Sequence, residues 1–195
     1  DEEGVRRAVV VNGTLLSYGD FSLRPEPSPE GRVTGVDFEA NAIAIDVALA
    51  APLALRDDVV ILGNELHQTS YMIEEATSAD GRARLSFGDV IFVIGMGAVT
   101  ETDAEAGTVT SDRNLAGYGR IDGGRHAGRW LYNEDKSRGF RITSVAGTLL
   151  TLEGTGEDLE AAFADADGDG RRLYWISDIG PGDTCHIPTA THYER

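Results

Sequence analysis

The sequence predicts an all-β protein, an antiparallel β-sandwich or jelly roll with Gly-rich loops and one short helix. Three observations carry this. Short β-branched runs alternate apolar and polar residues with period two. Most of the 24 glycines fall between those runs, where turns need positive φ. A helical apolar stripe recurs only once along the 195 residues.

In chain order, Arg7–Asn12 (Arg-Ala-Val-Val-Val-Asn) opens the strand pattern, and 14–18 and 33–38 continue it. Between them, Arg24–Glu30 holds three prolines in five residues, so it is a stiff connection, either a long loop or a linker. In 41–48, Ile43, Ile45 and Val47 fall on one face and Ala42, Ala44 and Asp46 on the other, the mark of a half-buried strand. Asp58–Gly63, 68–75, 82–87 and 89–94 follow. Glu101–Asp112 is acidic and reads as a surface loop. Strands resume at 139–144, 148–153, 171–177 and 184–187, and Leu173–Ile176 reads as buried, with Trp175 in the core. Thr155–Ala164 is the one helix: Thr155 and Asp158 have capping-box spacing, and Leu159, Ala162 and Phe163 form its apolar stripe. No repeat of 20–50 residues is present, which argues against a solenoid or propeller.

The length fits a single β-sandwich domain over 1–195, or one β-rich domain with a long insertion. The chain opens on Asp1-Glu2-Glu3, which fits a processed protein or a domain excised from a larger multidomain protein. A net charge of −16 argues against general nucleic-acid binding. The lone Cys185 excludes an internal disulfide framework and a multi-thiolate zinc site. Sixteen of the 17 basic residues are Arg, a bias that suits either a GC-rich genome or a salty habitat.

Charge is distributed unevenly. Residues 113–141 hold seven basic side chains against Asp122, Glu134 and Asp135, a net +4 that leaves −20 for the rest. Such a segment draws an anionic ligand to one place, and guanidinium forks bind carboxylate and sulfate oxygens bidentately. Arg120, Arg125 and Arg129 each follow a glycine, and Arg138 lies further along. His126, Trp130 and Tyr132 interleave with them, offering flat faces for sugar rings if exposed. The opposite reading is that the arginines pair with the chain's own carboxylates and the aromatics are core.

Asp165-Ala-Asp167-Gly-Asp169-Gly170 matches the start of a calcium loop, with alternate carboxylates converging on one hard cation. Ile176 stands where an EF-hand places its bidentate Glu, so Ca2+ here implies a non-EF site completed by Asp178 or a backbone carbonyl, and a solvated acidic turn is the alternative. The histidines form no close ligand pattern, and no GxSxG, P-loop or GxGxxG occurs. Cys185 and His186 point to opposite faces of a strand and cannot act as a nucleophile–base pair there. His67, Tyr71, His126 and Tyr132 are the conceivable acid–base groups for proton abstraction beside a uronic acid.

The run Gly123–Phe140 (Gly-Gly-Arg-His-Ala-Gly-Arg-Trp-Leu-Tyr-Asn-Glu-Asp-Lys-Ser-Arg-Gly-Phe) and the segment Asp165–Gly182 resemble the C-terminal β-rich regions of heparinase II/III-like polysaccharide lyases. The resemblance implies an accessory β-domain of a secreted enzyme, extracellular or periplasmic, with carbohydrate binding as its role. Those lyases keep their catalytic Tyr and Arg largely in an α/α toroid that nothing here resembles, so no catalytic residue carries over. The expected function is a non-catalytic module recognising an acidic polysaccharide, with the catalytic or neighbouring domain of the parent protein as its partner. The alternatives are an interaction domain of such a lyase, or a lyase acting by β-elimination.

Overall fold

A computed structural model describes residues 5–11, 14–22, 29–50, 52–88, 92–115, 126–154, 158–165, 168–188 and 192–193. Its strands are β1 (Val5–Val11), β2 (Thr14–Ser22), β3 (Glu30–Asp37), β4 (Ala42–Ile45), β5 (Val59–Gly63), β6 (Gln68–Met72), β7 (Glu75–Ala79) and β8 (Arg82–Ser86). There follow β9 (Val93–Asp103), β10 (Thr108–Ser111), β11 (Trp130–Asn133), β12 (Gly139–Ala146), β13 (Leu149–Leu152), β14 (Leu173–Ser177), β15 (Thr184–His186) and β16 (His192–Tyr193). One short helix, α1 (Asp158–Ala162), precedes β14. Every strand pair is antiparallel, so the all-β sandwich class expected from the strand pattern holds.

The contacts of the chain cluster into two compact units. The first comprises 1–63, 68–90 and 181–195; the second comprises 64–67 and 91–180. Unit 1 contains a three-stranded sheet, β1-β2-β16, and a seven-stranded sheet, β6-β5-β15-β3-β4-β8-β7. The alternation seen in the sequence sets its interior: Ile43 and Ile45 of β4 and Val60 and Leu62 of β5 are fully buried. Cys185 lies opposite Gly31 and Leu62 in the ladder, and burial pushes its thiol up to about 12.

Unit 2 adds a closure that the strand pattern does not reveal, because its six strands run round a barrel in the order β10-β13-β12-β11-β14-β9. A barrel this narrow is filled by side chains. Leu131, Ile142, Leu150, Tyr174 and Ile176 fill it, all at most 1% exposed. The Tyr174 hydroxyl shares a 2.6 Å hydrogen bond with the buried Ser111 hydroxyl, so burying this polar group leaves no orphan. The α1 stripe is as expected: Leu159, Ala162 and Phe163 join the interior, with Phe163 5.7 Å from the ring of Phe140. Glu101–Asp112 differs from expectation. It is the end of β9, a turn and β10, whose acidic residues face outward while Val109 is buried in the barrel.

The strand directions separate the two ends of the barrel. One end, where β11 finishes and β14 starts, carries Asn133, Arg138 and Leu173 beside the last turn of α1. The other, where β9 and β11 begin and β14 finishes, carries Ile94, Gly95, His126, Arg129 and Ile176.

Because the neutral thiol is strongly favoured at Cys185, a thiol reagent should leave the native chain unlabelled in mildly alkaline buffer and label it once after denaturation. Rapid labelling of the folded chain would contradict this placement.

Candidate functional site

Gly128 explains how the second end of the barrel is built. Its φ is +82°, and a Cβ there would lie 2.6 Å from His67 N and 2.7 Å from Asn64 Oδ1. Only glycine combines that backbone with that approach. The Gly128 N–H donates to Ile142 O (2.7 Å), while Gly128 O accepts from Asn64 Nδ2 (2.7 Å). Asn64 Oδ1 in turn accepts the N–H groups of Leu66 and His67, folding 64–67 into a tight turn. Glu65 of the same turn pairs with Arg141, which also holds Glu153.

That turn delivers His67 to Asp178. His67 Nε2 stands 3.0 Å from Asp178 Oδ1, and Arg129 Nε donates to the same oxygen at 2.7 Å. All three side chains are largely buried, at 17, 14 and 15% exposure for His67, Asp178 and Arg129. Burial alone would raise the Asp178 carboxyl, but the hydrogen bonds and charges of His67 and Arg129 outweigh it and hold the group below the usual carboxylate range. From the sequence, Asp178 was expected only as a completing ligand of a non-EF calcium site, and His67 was one acid–base candidate among four. A separation of 111 positions between them leaves no local spacing to read.

Beside Arg129 lies a groove of about 460 Å³ lined by Ile94, Gly95, Met96, Arg113, Leu115, His126, Arg129 and Ile176. The size suits a small ligand or one or two rings of a polymer. Apolar side chains make its wall, with Met96 44% exposed, and two guanidiniums and an imidazole border it. In a chain with 33 acidic residues, none of these lining side chains is a carboxylate. Arg113 is 54% exposed, and its Nε stands 3.9 Å from Asp112 Oδ2, too far for a tight pair.

The structure brings together some of the expected site residues and separates others. His126 and Arg129 border the groove; Arg113, from the same basic segment, joins them although the sequence reading did not select it. Arg138 lines a different cavity of about 430 Å³ at the opposite end, where Glu134 and Asp135 make the surroundings acidic. Trp130 and Tyr132 require correction as sugar platforms, since they are 9% and 3% exposed. Both face outward from the barrel, but the segment after β14 covers them. The Trp130 ring packs against Gly180, leaving no room for a Cβ, and the Tyr132 hydroxyl donates to Ile179 O at 3.4 Å. Trp175 differs in the other sense. It is half-buried rather than core, its Nε1 donating to Glu134 O (2.8 Å) and Lys136 Nζ standing 4.8 Å from its ring centre.

Arg120, Arg125 and Asp167 lie outside the described residues. At the acidic turn, Asp165 accepts Gly168 N and Gly170 N, one on each carboxylate oxygen, at 2.9 Å, and Asp169 accepts Arg171 N at 2.8 Å. Among the described residues, no three His, Cys, Asp or Glu side chains converge to hold a metal ion. Comparison with known proteins finds no match: no family model, no curated protein and no solved structure is significantly similar to the chain. Its function is therefore read from its own residues.

Replacing Asp178 by Asn removes the acceptor charge between two basic side chains and should cost about 2–3 kcal/mol at neutral pH, measured by urea unfolding. Because the folded carboxyl lies below its unfolded value, this stabilisation is complete above the ordinary carboxylate range. It is lost as pH falls through the folded value, so the gap between wild type and D178N should shrink on acidification. A gap that stays constant down to strongly acidic pH would show that the charge of Asp178 is not what stabilises the fold.

Proposed function

We propose that this chain is a non-catalytic module that binds an acidic polysaccharide in the groove bordered by Arg113, His126 and Arg129. The observation that carries the proposal is the charge of the lining: among the described residues, two guanidiniums stand beside apolar side chains with no lining carboxylate, in a chain of net charge −16. An acidic sugar presents a carboxylate or sulfate at its edge and C–H groups on its faces, and the groove offers a partner for each. The anionic remainder of the chain repels the polymer elsewhere, which confines binding to this place. An accessory role in a secreted, extracellular or periplasmic polysaccharide-degrading enzyme, of the heparinase II/III-like kind, agrees with this chemistry and belongs to the same proposal.

The lyase alternative needs a base at the groove. His126 borders it, whereas the Tyr132 hydroxyl is buried on Ile179 O. Formation of an unsaturated uronate product by the purified chain would therefore replace binding by catalysis as the conclusion.

Affinity electrophoresis tests the proposal. Gels containing polygalacturonate should retard the chain, gels containing a neutral glucan should not, and added salt should relieve the retardation. Arg113→Ala should weaken binding about tenfold, the loss of one charged hydrogen-bond partner. Equal mobility in all gels would refute the function, and retention of full affinity by R113A would refute the site.

A further inference from the structure

Two glycines in β9 occupy equivalent places for different reasons. Gly95 and Gly97 are successive residues on the same face, opposite Ile176 and Tyr174 of β14. A Cβ on Gly97 would collide with the Tyr174 hydroxyl and lie 2.8 Å from Asp112 Oδ1, so barrel packing dictates that glycine. A Cβ on Gly95 would meet nothing closer than Ile176 at 3.7 Å, an ordinary contact, and Gly95 is not among the positive-φ glycines. Neither backbone conformation nor packing requires glycine there, although glycine weakens a strand interior. What a side chain at 95 would occupy is the groove, which Gly95 and Ile176 both line.

We infer that Gly95 determines ligand specificity by keeping the groove deep enough for a single uronic acid ring of the polysaccharide. The inference rests on the acidic-glycan reading and narrows it. A uronic acid carries its one charge on the ring, so its carboxylate reaches Arg113 and Arg129 while a C–H face lies against the exposed apolar side chains of the groove wall. Heavily sulfated chains suit the site less well. They carry several charges per repeat, whereas among the described residues two guanidiniums line this groove, and the chain as a whole has a net charge of −16. The groove wall recognises the ring, and the guanidinium border recognises its acid.

The test is a graded series at one position. Wild type, Gly95→Ala, Gly95→Val and Gly95→Leu are compared for affinity to polygalacturonate, to dextran sulfate and to galacturonate monomer, with thermal unfolding measured for each. The expected result is affinity for polygalacturonate falling progressively with side-chain size, by about tenfold at Val, while the melting temperature is unchanged or higher. Wild-type binding to polygalacturonate that G95V and G95A retain in full overturns the role of Gly95 and leaves the acidic-glycan reading standing. Binding to dextran sulfate alone overturns the uronate class. No binding of any acidic probe by wild type overturns that reading and this inference together. If Val or Leu prevents folding, Ala decides the outcome, because the space at Cβ accommodates a methyl group.

Discussion

One buried carboxylate organises the end of the barrel where the groove lies. Asp178 accepts Arg129 Nε on the same oxygen that stands 3.0 Å from His67 Nε2, in surroundings where an unpartnered charge would be costly. Satisfying it draws together three parts of unit 2 that are remote in sequence: the turn at 64–67, the entry to β11 and the exit of β14. The segment that carries Asp178 also lays Ile179 and Gly180 over Tyr132 and Trp130, so the same short stretch neutralises the charges and covers the aromatics. Gly128 is the complementary constraint, since a side chain there would push the 64–67 turn away and take His67 with it.

The consequence for function is positional. Arg129 belongs to both systems: Asp178 fixes its Nε, and the residue borders the groove. A guanidinium held on one side by a carboxylate loses little freedom when a ligand arrives, so less conformational entropy opposes binding. Arg113 is the contrasting kind of contact, exposed and loosely paired, adding attraction and salt sensitivity. Among the described residues, the groove therefore combines one anchored and one exposed cation beside an apolar wall.

Much of the fold was legible because strand alternation and the helical stripe are local. Ile43 and Ile45 lie on the buried face that period two assigns them, and Leu159, Ala162 and Phe163 point into the barrel as their spacing requires. The β9–β10 hairpin was missed because its outward positions are acidic, so that Val99 and Val109 were too sparse to stand out. Barrel closure was not legible, since it depends on β9 pairing with both β10 and β14. The site was legible only as a basic segment. Which of its arginines border a groove, and that Trp130 and Tyr132 are covered, depends on residues 179–180 that no local pattern links to them. Nothing in the sequence set Gly95 apart from the other glycines, and its meaning emerges only against Gly97 and the two β14 residues that they face.

The central claim is that an acidic sugar occupies the groove between the start of β9 and the entry to β11. Titrating the isotope-labelled chain with a galacturonate oligosaccharide and following backbone amide resonances tests it directly. The account predicts saturable shifts concentrated at 94–96, 113–115 and 126–129, with 133–138 at the opposite end of the barrel unmoved. Shifts confined to 133–138, or none at all at saturating ligand, would contradict it.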